Sequence, residues 1–122
     1  MKTYYLGIDA GTTKIKVGLV DQSGHLIGLS SSPVQIKHAQ GGWSEIDMQA
    51  LWHQLAGVLQ ALSRQHPDKM GQIAAIGVAG QGDGYWPVSH AGDPAGPAIL
   101  WNDTRAKALR LPFPEKTEKI CH

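Results

Sequence analysis

The start of the chain alternates apolar residues with polar or small ones, a pattern typical of strands with one buried face. Residues 4–9 are apolar and β-prone, and residues 15–21 alternate regularly. Residues 22–24 have turn chemistry, and residues 25–34 resume a strand-like pattern. Three consecutive strands joined by short turns predict an antiparallel meander.

One amphipathic helix follows. Asp47 is a good N-cap residue, and the His66-Pro67 pair ends the pattern. Between them, apolar residues recur at the spacing of one buried helix face, namely Met48, Leu51, Trp52, Leu55, Val58, Leu59 and Leu62. Residues 73–79 are then almost wholly apolar, which predicts a central strand buried on both faces.

The remaining elements have weaker signals. Residues 39–43 and 80–84 are glycine-containing loops, short strands are predicted at 85–88 and 98–101, and a helix begins within 104–110. Hairpin-linked strands therefore precede a crossover helix and a buried strand. This order predicts an α/β fold and differs from a Rossmann fold, in which the first strand leads directly into a helix.

The end of the chain differs from what precedes it. Residues 111–122 contain Pro112 and Pro114, followed by a polar stretch that does not continue the helical pattern. We therefore predict a domain at residues 1–110 and an atypical tail at residues 111–122.

Composition narrows the class of protein. A chain of 122 residues with 42% hydrophobic and 17% charged residues is globular and large enough for one small domain. The net charge of +1 gives no electrostatic reason to expect nucleic acid or an anionic membrane as partner. Asp9 interrupts any signal-like apolar start, and no apolar run is long enough to span a bilayer. Cys121 is the single cysteine, so we expect no internal disulfide and a cytoplasmic location.

The turn between the first two predicted strands carries residues suited to phosphate. Gly11 allows close approach of the backbone to an anion, and the Thr12 and Thr13 hydroxyls can donate hydrogen bonds to it. Asp9 places a carboxylate beside that anion, which requires a bridging cation such as Mg²⁺. Lys16 adds positive charge. The alternative is a tight hairpin turn in which these polar side chains satisfy turn amides.

Two further segments suit a hydroxyl-rich ligand. Gln81 and Asp83 directly follow the apolar strand, where open α/β sheets tend to bind ligands. Trp101 offers an apolar face for the CH side of a sugar, and Asp103 is placed to pair with Arg105. Each segment has a structural alternative: a plain turn for the first, and a helix N-terminus capped by its own side chain for the second.

Trp43 and Glu45 precede the helix N-cap and lack such a structural explanation. One interpretation places both residues in the lining of a ligand cleft. The preferred interpretation is that Trp43 packs onto the helix as a hydrophobic staple.

In their order and spacing, the four segments resemble the start of the FGGY carbohydrate kinases, the family of glycerol kinase and xylulokinase. The segments read Gly-Ile-Asp-x-Gly-Thr-Thr, Gly-Trp-Ser-Glu-x-Asp, Gly-Gln-Gly-Asp-Gly and Ile-Leu-Trp-Asn-Asp-x-Arg, and the resemblance covers residues 4–110. It implies an actin-like, ribonuclease-H-type fold with two domains around a cleft. It also implies ATP-dependent phosphorylation of a sugar or polyol hydroxyl.

The resemblance also implies roles for single residues. Asp9 would lie at the Mg²⁺ site. The implied contacts to ATP come from Gly11, Thr12, Thr13 and Lys16. The implied contacts to the acceptor sugar come from Gly82, Asp83 and Trp101. The Gly82-Asp83 pair departs from the Arg-Glu of glycerol kinase and the Met-His of xylulokinase, and is similar to the L-xylulose and erythritol kinase branch.

Length is the main departure from the family, whose members are far longer. The resemblance implies that the catalytic aspartate and the second domain lie downstream of residue 122, so no catalytic residue is assigned. We expect a truncated reading frame or fragment, and homo-oligomers formed through uncovered apolar surface. The alternatives are an inactive fragment with weak nucleotide or sugar binding and, last, a metal nuclease using Asp9, Glu45 and Asp83.

Overall fold

A mixed four-stranded sheet with one long helix forms most of the structure, a computed structural model that describes residues 2–108. In chain order the elements are β1 (Tyr4–Ala10), β2 (Lys14–Asp21), β3 (Leu26–Pro33), β4 (Lys37–Ala39), β5 (Trp43–Ile46), α1 (Met48–Gln65), α2 (Pro67–Met70), β6 (Ile73–Gly80), β7 (Ala98–Ile99) and a 3₁₀ helix (Arg105–Ala108). The main sheet has the order β3-β2-β1-β6, and a smaller sheet has the order β4-β5-β7.

The predicted antiparallel meander of β1, β2 and β3 is confirmed. The Asp21 carboxylate fixes its second turn by accepting the backbone amides of Ser23 and His25 at 2.8 and 3.0 Å. Alternate residues of β1 and β2 point to one face and form the core with α1, namely Tyr4, Leu6, Ile8, Ile15, Val17, Leu19, Val58 and Leu62. The opposite face of these strands carries Asp9 and Lys16.

Helix α1 begins where the sequence predicts. The Asp47 side chain accepts the Ala50 amide at 3.0 Å, and this hydrogen bond lowers the pKa of the Asp47 carboxyl. Val58 and Leu62 are fully buried against the sheet, as their spacing indicates. Trp52 was predicted on the same face but is 64% exposed, because the helix buries a narrower stripe than the apolar pattern suggests.

The predicted crossover into a strand is confirmed, since β6 pairs in parallel with β1. Its predicted burial on both faces is wrong for the described residues. Ile76 and Val78 are 58% and 71% exposed. The reason is positional: β6 lies at the edge of the main sheet, no strand within residues 2–108 pairs with its outer side, and α1 packs on β2 and β3.

The smaller sheet was only partly predicted. The expected loop at 39–43 is the tight turn of a hairpin between β4 and β5. The strand expected at 85–88 is wrong, since that segment makes only isolated bridges. The helix expected within 104–110 begins as the 3₁₀ helix, and the predicted tail at 111–122 lies outside the described residues.

Candidate functional site

The turn after β1 is tight at Gly11. The Gly11 amide donates to the Lys14 carbonyl at 3.1 Å and closes the turn. A Cβ atom at Gly11 would lie 3.1 Å from that carbonyl oxygen and 3.7 Å from Asp9 Oδ1. The tight hairpin turn that was the alternative to a phosphate site is therefore present, and it leaves the Asp9 side chain beside the loop backbone.

Asp9 and Lys16 lie opposite each other on β1 and β2. The Lys16 Nζ and Asp9 Oδ2 atoms are 3.9 Å apart, and the two side chains are about half exposed on the face away from α1. Among residues 2–108 no group of three acidic, histidine or cysteine side chains is placed to hold a metal ion. Mg²⁺ fits here only in the mode that uses one carboxylate together with waters and phosphate oxygens. The clustered carboxylates that a two-metal nuclease needs are not found in this part of the chain.

The structure brings three of the predicted segments together at Thr12. Its hydroxyl donates to Gln81 Oε1 at 3.3 Å and accepts the Trp101 indole N–H at 3.4 Å. The backbone amide of Gln81 also donates to the Ala10 carbonyl, at 3.3 Å. Because β1 and β6 are parallel neighbours, their carboxyl ends lie at the same end of the sheet. The turn after β1 and the loop after β6 therefore lie side by side.

Thr13 differs from Thr12 in its surroundings. Its side chain is exposed, and its carbonyl accepts the Val34 amide at 2.9 Å. Gly82 and Asp83 are exposed in the loop after β6, where Asp83 has a left-handed backbone with φ of 56°. A Cβ atom at the neighbouring Gly84 would lie 2.8 Å from the Ile99 carbonyl oxygen, so β7 restricts the shape of this loop.

Three charged side chains and one aromatic ring form a compact group that we call the Arg105 cluster: Glu45, Asp103, Arg105 and Trp43. Arg105 donates hydrogen bonds to both carboxylate oxygens of Asp103, from Nε to Oδ1 at 2.9 Å and from Nη2 to Oδ2 at 2.7 Å. Nη2 also lies 2.8 Å from Glu45 Oε1, and the guanidinium carbon is 4.1 Å from the centroid of the Trp43 ring. The predicted pairing of Asp103 with Arg105 is confirmed.

Electrostatics stabilise the Arg105 cluster. Hydrogen bonds from the Arg105 guanidinium hold the pKa of Asp103 well below its ordinary value of 3.8, and the Ser44 and Arg105 backbone amides lower it further. The Asp103 and Glu45 carboxylates raise the pKa of the Arg105 guanidinium. The Asp103 side chain is only 4% exposed, so its charge depends on these partners.

The part played by Trp43 and Glu45 was not predicted. Trp43 lies against the Arg105 guanidinium, a contact that neither the cleft nor the staple interpretation includes. The only available signal was the pair of unexplained side chains before the helix N-cap, since the partner of Glu45 lies 60 residues away in the sequence.

Open grooves add little to the definition of the site. One, of about 850 Å³, lies between residues 34–37 and the start of α1 and is not lined by Thr12 or Trp101. A second, of about 540 Å³, lies along the face that carries Asp9 and Lys16. No helix among residues 2–108 is long and apolar enough to cross a membrane.

Comparison with known proteins places this arrangement in a family. The model of the FGGY family of carbohydrate kinases, N-terminal domain, matches residues 4–117. A probable L-xylulose kinase of Haemophilus influenzae is 41% identical over 103 residues, which are 84% of this chain and 21% of that protein. An L-xylulose/3-keto-L-gulonate kinase of Escherichia coli is 37% identical over 109 residues, which are 89% of this chain and 22% of that protein.

A solved structure agrees. A crystal structure described as a xyloylose kinase from Brucella ovis superposes with a TM-score of 0.80 at 32% identity, covering 84% of this chain and 22% of that one. The predicted ribonuclease-H-like, actin-like fold of the N-terminal part is therefore confirmed. The chain spans about a fifth of the length of these relatives. It belongs to the FGGY family of carbohydrate kinases, in which it matches the N-terminal domain.

Proposed function

We propose that this chain supplies the phosphate-binding loop and one wall of the acceptor pocket for ATP-dependent phosphorylation of a sugar or polyol. The observation that carries the proposal is the contact of Thr12 with both Gln81 and Trp101. It joins the turn suited to phosphate with the two segments suited to hydroxyl groups. Phosphoryl transfer requires this proximity, because donor and acceptor must be held in line within bonding reach.

On the nucleotide side, Gly11 would allow close approach of the phosphates, which the backbone amides and hydroxyls of Thr12 and Thr13 would contact, because the Gly11 amide itself closes the turn. Mg²⁺, when bound, neutralises charge on these phosphates. Asp9 would hold the ion through its exposed carboxylate, and Lys16, at 3.9 Å from it, would add positive charge at the same place. The carboxylate and the ammonium both face away from the core, which leaves them accessible to a ligand.

On the acceptor side, the Trp101 ring would form an apolar wall, since it is 59% exposed while its N–H group is held by Thr12. Gly82 and Asp83 would contact acceptor hydroxyls from the loop after β6. We infer a ketose or polyol as the acceptor, because the relatives at 36 to 41% identity include L-xylulose kinases and a glycerol kinase.

ATP titration of the ¹⁵N-labelled chain, with and without Mg²⁺, tests the nucleotide half. We expect the amide resonances of the Gly11 turn to shift and Mg²⁺ to strengthen binding. Asp9→Asn should weaken the Mg²⁺-dependent affinity by roughly ten- to a hundredfold, the effect of losing one contact to a charged group. Asp68→Asn is the matched control, because Asp68 also pairs with a lysine on the surface, at 2.8 Å from Lys69. Equal effects of the two variants would refute the role of Asp9.

A panel of ketoses and polyols tests the acceptor half. Asp83→Ala should weaken binding of the preferred acceptor by roughly tenfold or more and leave ATP binding unchanged, because a site that pairs with a hydroxyl loses that pair alone. Asp93→Ala, at another exposed turn, is the control. Equal effects of Asp83→Ala on acceptor and nucleotide would make Asp83 a turn residue instead.

A further inference from the structure

We propose that Arg105 is a positioning residue of the acceptor wall: it ties the segment after β7 to β5 and thereby holds the Trp101 ring beside Thr12. It is not a phosphate ligand. This inference rests on the proposed acceptor role of Trp101 and adds the device that sets the place of that ring.

The guanidinium of Arg105 is already engaged by the protein. Three of its hydrogen bonds go to Asp103 and Glu45, at 2.7 to 2.9 Å, and its face lies on Trp43. One guanidinium against two carboxylates leaves one excess negative charge in the Arg105 cluster. An incoming phosphate would therefore be repelled and would have to displace short charge-assisted bonds.

Two hydrogen bonds attach the Trp101 segment to β5, one on each side of Trp101, and the second involves a residue held by Arg105. Before Trp101, the Leu100 amide donates to the Ser44 carbonyl at 3.0 Å. After it, Asp103 accepts the Ser44 amide at 2.7 Å while held by Arg105. Trp101 lies between these two attachments, so its backbone follows the position of β5.

Burial does not hold the Trp101 ring. The residue is 59% exposed, and its indole N–H reaches Thr12 Oγ1 at 3.4 Å, near the upper limit for a hydrogen bond. A contact of this length on an exposed ring depends on how accurately the backbone is placed. Loss of the attachment through Arg105 should therefore first break the hydrogen bond between the Trp101 indole and Thr12.

The Arg105 cluster also requires arginine rather than any cation. Asp103 is gripped through two parallel bonds, and a third bond from the same group reaches Glu45. A planar guanidinium meets this geometry and stacks on Trp43, whereas a lysine ammonium is a single point charge. Lysine at position 105 should therefore restore charge without restoring the position of Trp101.

The test follows the indole N–H resonance of Trp101 in the ¹⁵N-labelled chain, assigned by Trp101→Phe. Arg105→Ala should shift this resonance toward that of a free indole and speed its exchange with water, while the Trp52 resonance on α1 stays in place. Acceptor affinity should fall by roughly tenfold, and the shifts induced by ATP with Mg²⁺ should remain. Arg105→Lys should recover little of either loss, and Arg64→Ala, an exposed arginine on α1, should change neither.

Two results would overturn the inference: an unchanged Trp101 resonance in Arg105→Ala, or an equal loss of ATP and acceptor binding, which would make Arg105 a phosphate ligand. Should Arg105→Ala fail to fold, Glu45→Gln removes only one ion pair and should cause a smaller shift of the same resonance. A wild-type chain that binds no ketose or polyol refutes the proposed function and the acceptor role. The indole resonance then still decides whether Arg105 positions Trp101.

Discussion

The turn between β4 and β5 offers a sharp test of how the Trp101 segment is held, through the substitution Gly42→Ala. Gly42 has φ of +79°, and its carbonyl accepts both the backbone amide of Thr104 at 2.9 Å and the Thr104 hydroxyl at 3.3 Å. A Cβ atom at Gly42 would overlap the Thr104 side chain. The neighbouring Gly41 provides a matched control, because its φ is +86° but an added Cβ would meet only the Trp43 ring, at 3.8 Å.

The two substitutions share one cost and differ in the other. Each alanine takes a left-handed backbone, which costs about 1 to 2 kcal/mol. Only Gly42→Ala adds overpacking against Thr104, which costs about 1 to 3 kcal/mol more. The effect on the unfolded chain, about 0.4 to 1 kcal/mol in favour of alanine, is the same for both and cancels in the comparison. Gly42→Ala should therefore be the more destabilising variant by about 1 to 3 kcal/mol.

Urea unfolding of the two variants and of Gly42→Ala/Thr104→Ala measures these terms separately. The double variant should recover the stability that overpacking removes in Gly42→Ala. It should lose only the weak hydrogen bond of the Thr104 hydroxyl, about 1 kcal/mol. The Trp101 indole resonance should move in Gly42→Ala and stay in place in Gly41→Ala. Equal free energies of unfolding for Gly41→Ala and Gly42→Ala, or no recovery in the double variant, would show that Thr104 does not press on Gly42.

Two further predictions concern the core and the Arg105 cluster. Leu62→Ala should lower the free energy of unfolding by about 2 to 5 kcal/mol because Leu62 is fully buried, whereas Leu26→Ala, at a leucine that is 59% exposed, should change it by less than about 0.5 kcal/mol in the same urea experiment. The lowered pKa of Asp103 stabilises the fold fully above its ordinary value of 3.8, and this stabilisation is lost as pH falls toward the lower folded value. Below that pH, the free energy of unfolding of the wild type should therefore fall more steeply with decreasing pH than that of Asp103→Asn. Parallel pH profiles of the two proteins would contradict the lowered pKa of Asp103.

Local signals account for the elements that the sequence predicted well. Asp47 caps α1 through an amide only three residues away, and the meander follows from alternation within β1 and β2. The exposure of β6 does not follow from its own residues and was expected only from the length of the chain relative to the family. An apolar run has the same composition in a central strand as in an edge strand, and the difference depends on which distant elements cover Ile76 and Val78.

In the candidate site, too, the contact between sequence neighbours was predicted and the distant contact was missed. Asp103 and Arg105 are two residues apart, so their pairing was predicted from the sequence. Glu45 reaches Arg105 across 60 residues, and the contact depends on the antiparallel pairing of β5 with β7. Single-sequence reasoning has no signal for such a register, and the role of Trp43 and Glu45 was missed for this reason.

The state of Thr12 shows how the two halves of the proposed site depend on each other. A threonine hydroxyl has one proton to donate, and here it is directed to Gln81 while the oxygen accepts the Trp101 indole. A phosphate oxygen can receive that proton only if the bond to Gln81 is given up, since phosphate offers acceptors alone. The Gly11 amide is engaged in the same way, since it donates to the Lys14 carbonyl at 3.1 Å. In the proposed binding mode, donation from Thr12 to a phosphate oxygen would therefore release the Gln81 side chain beside the acceptor loop.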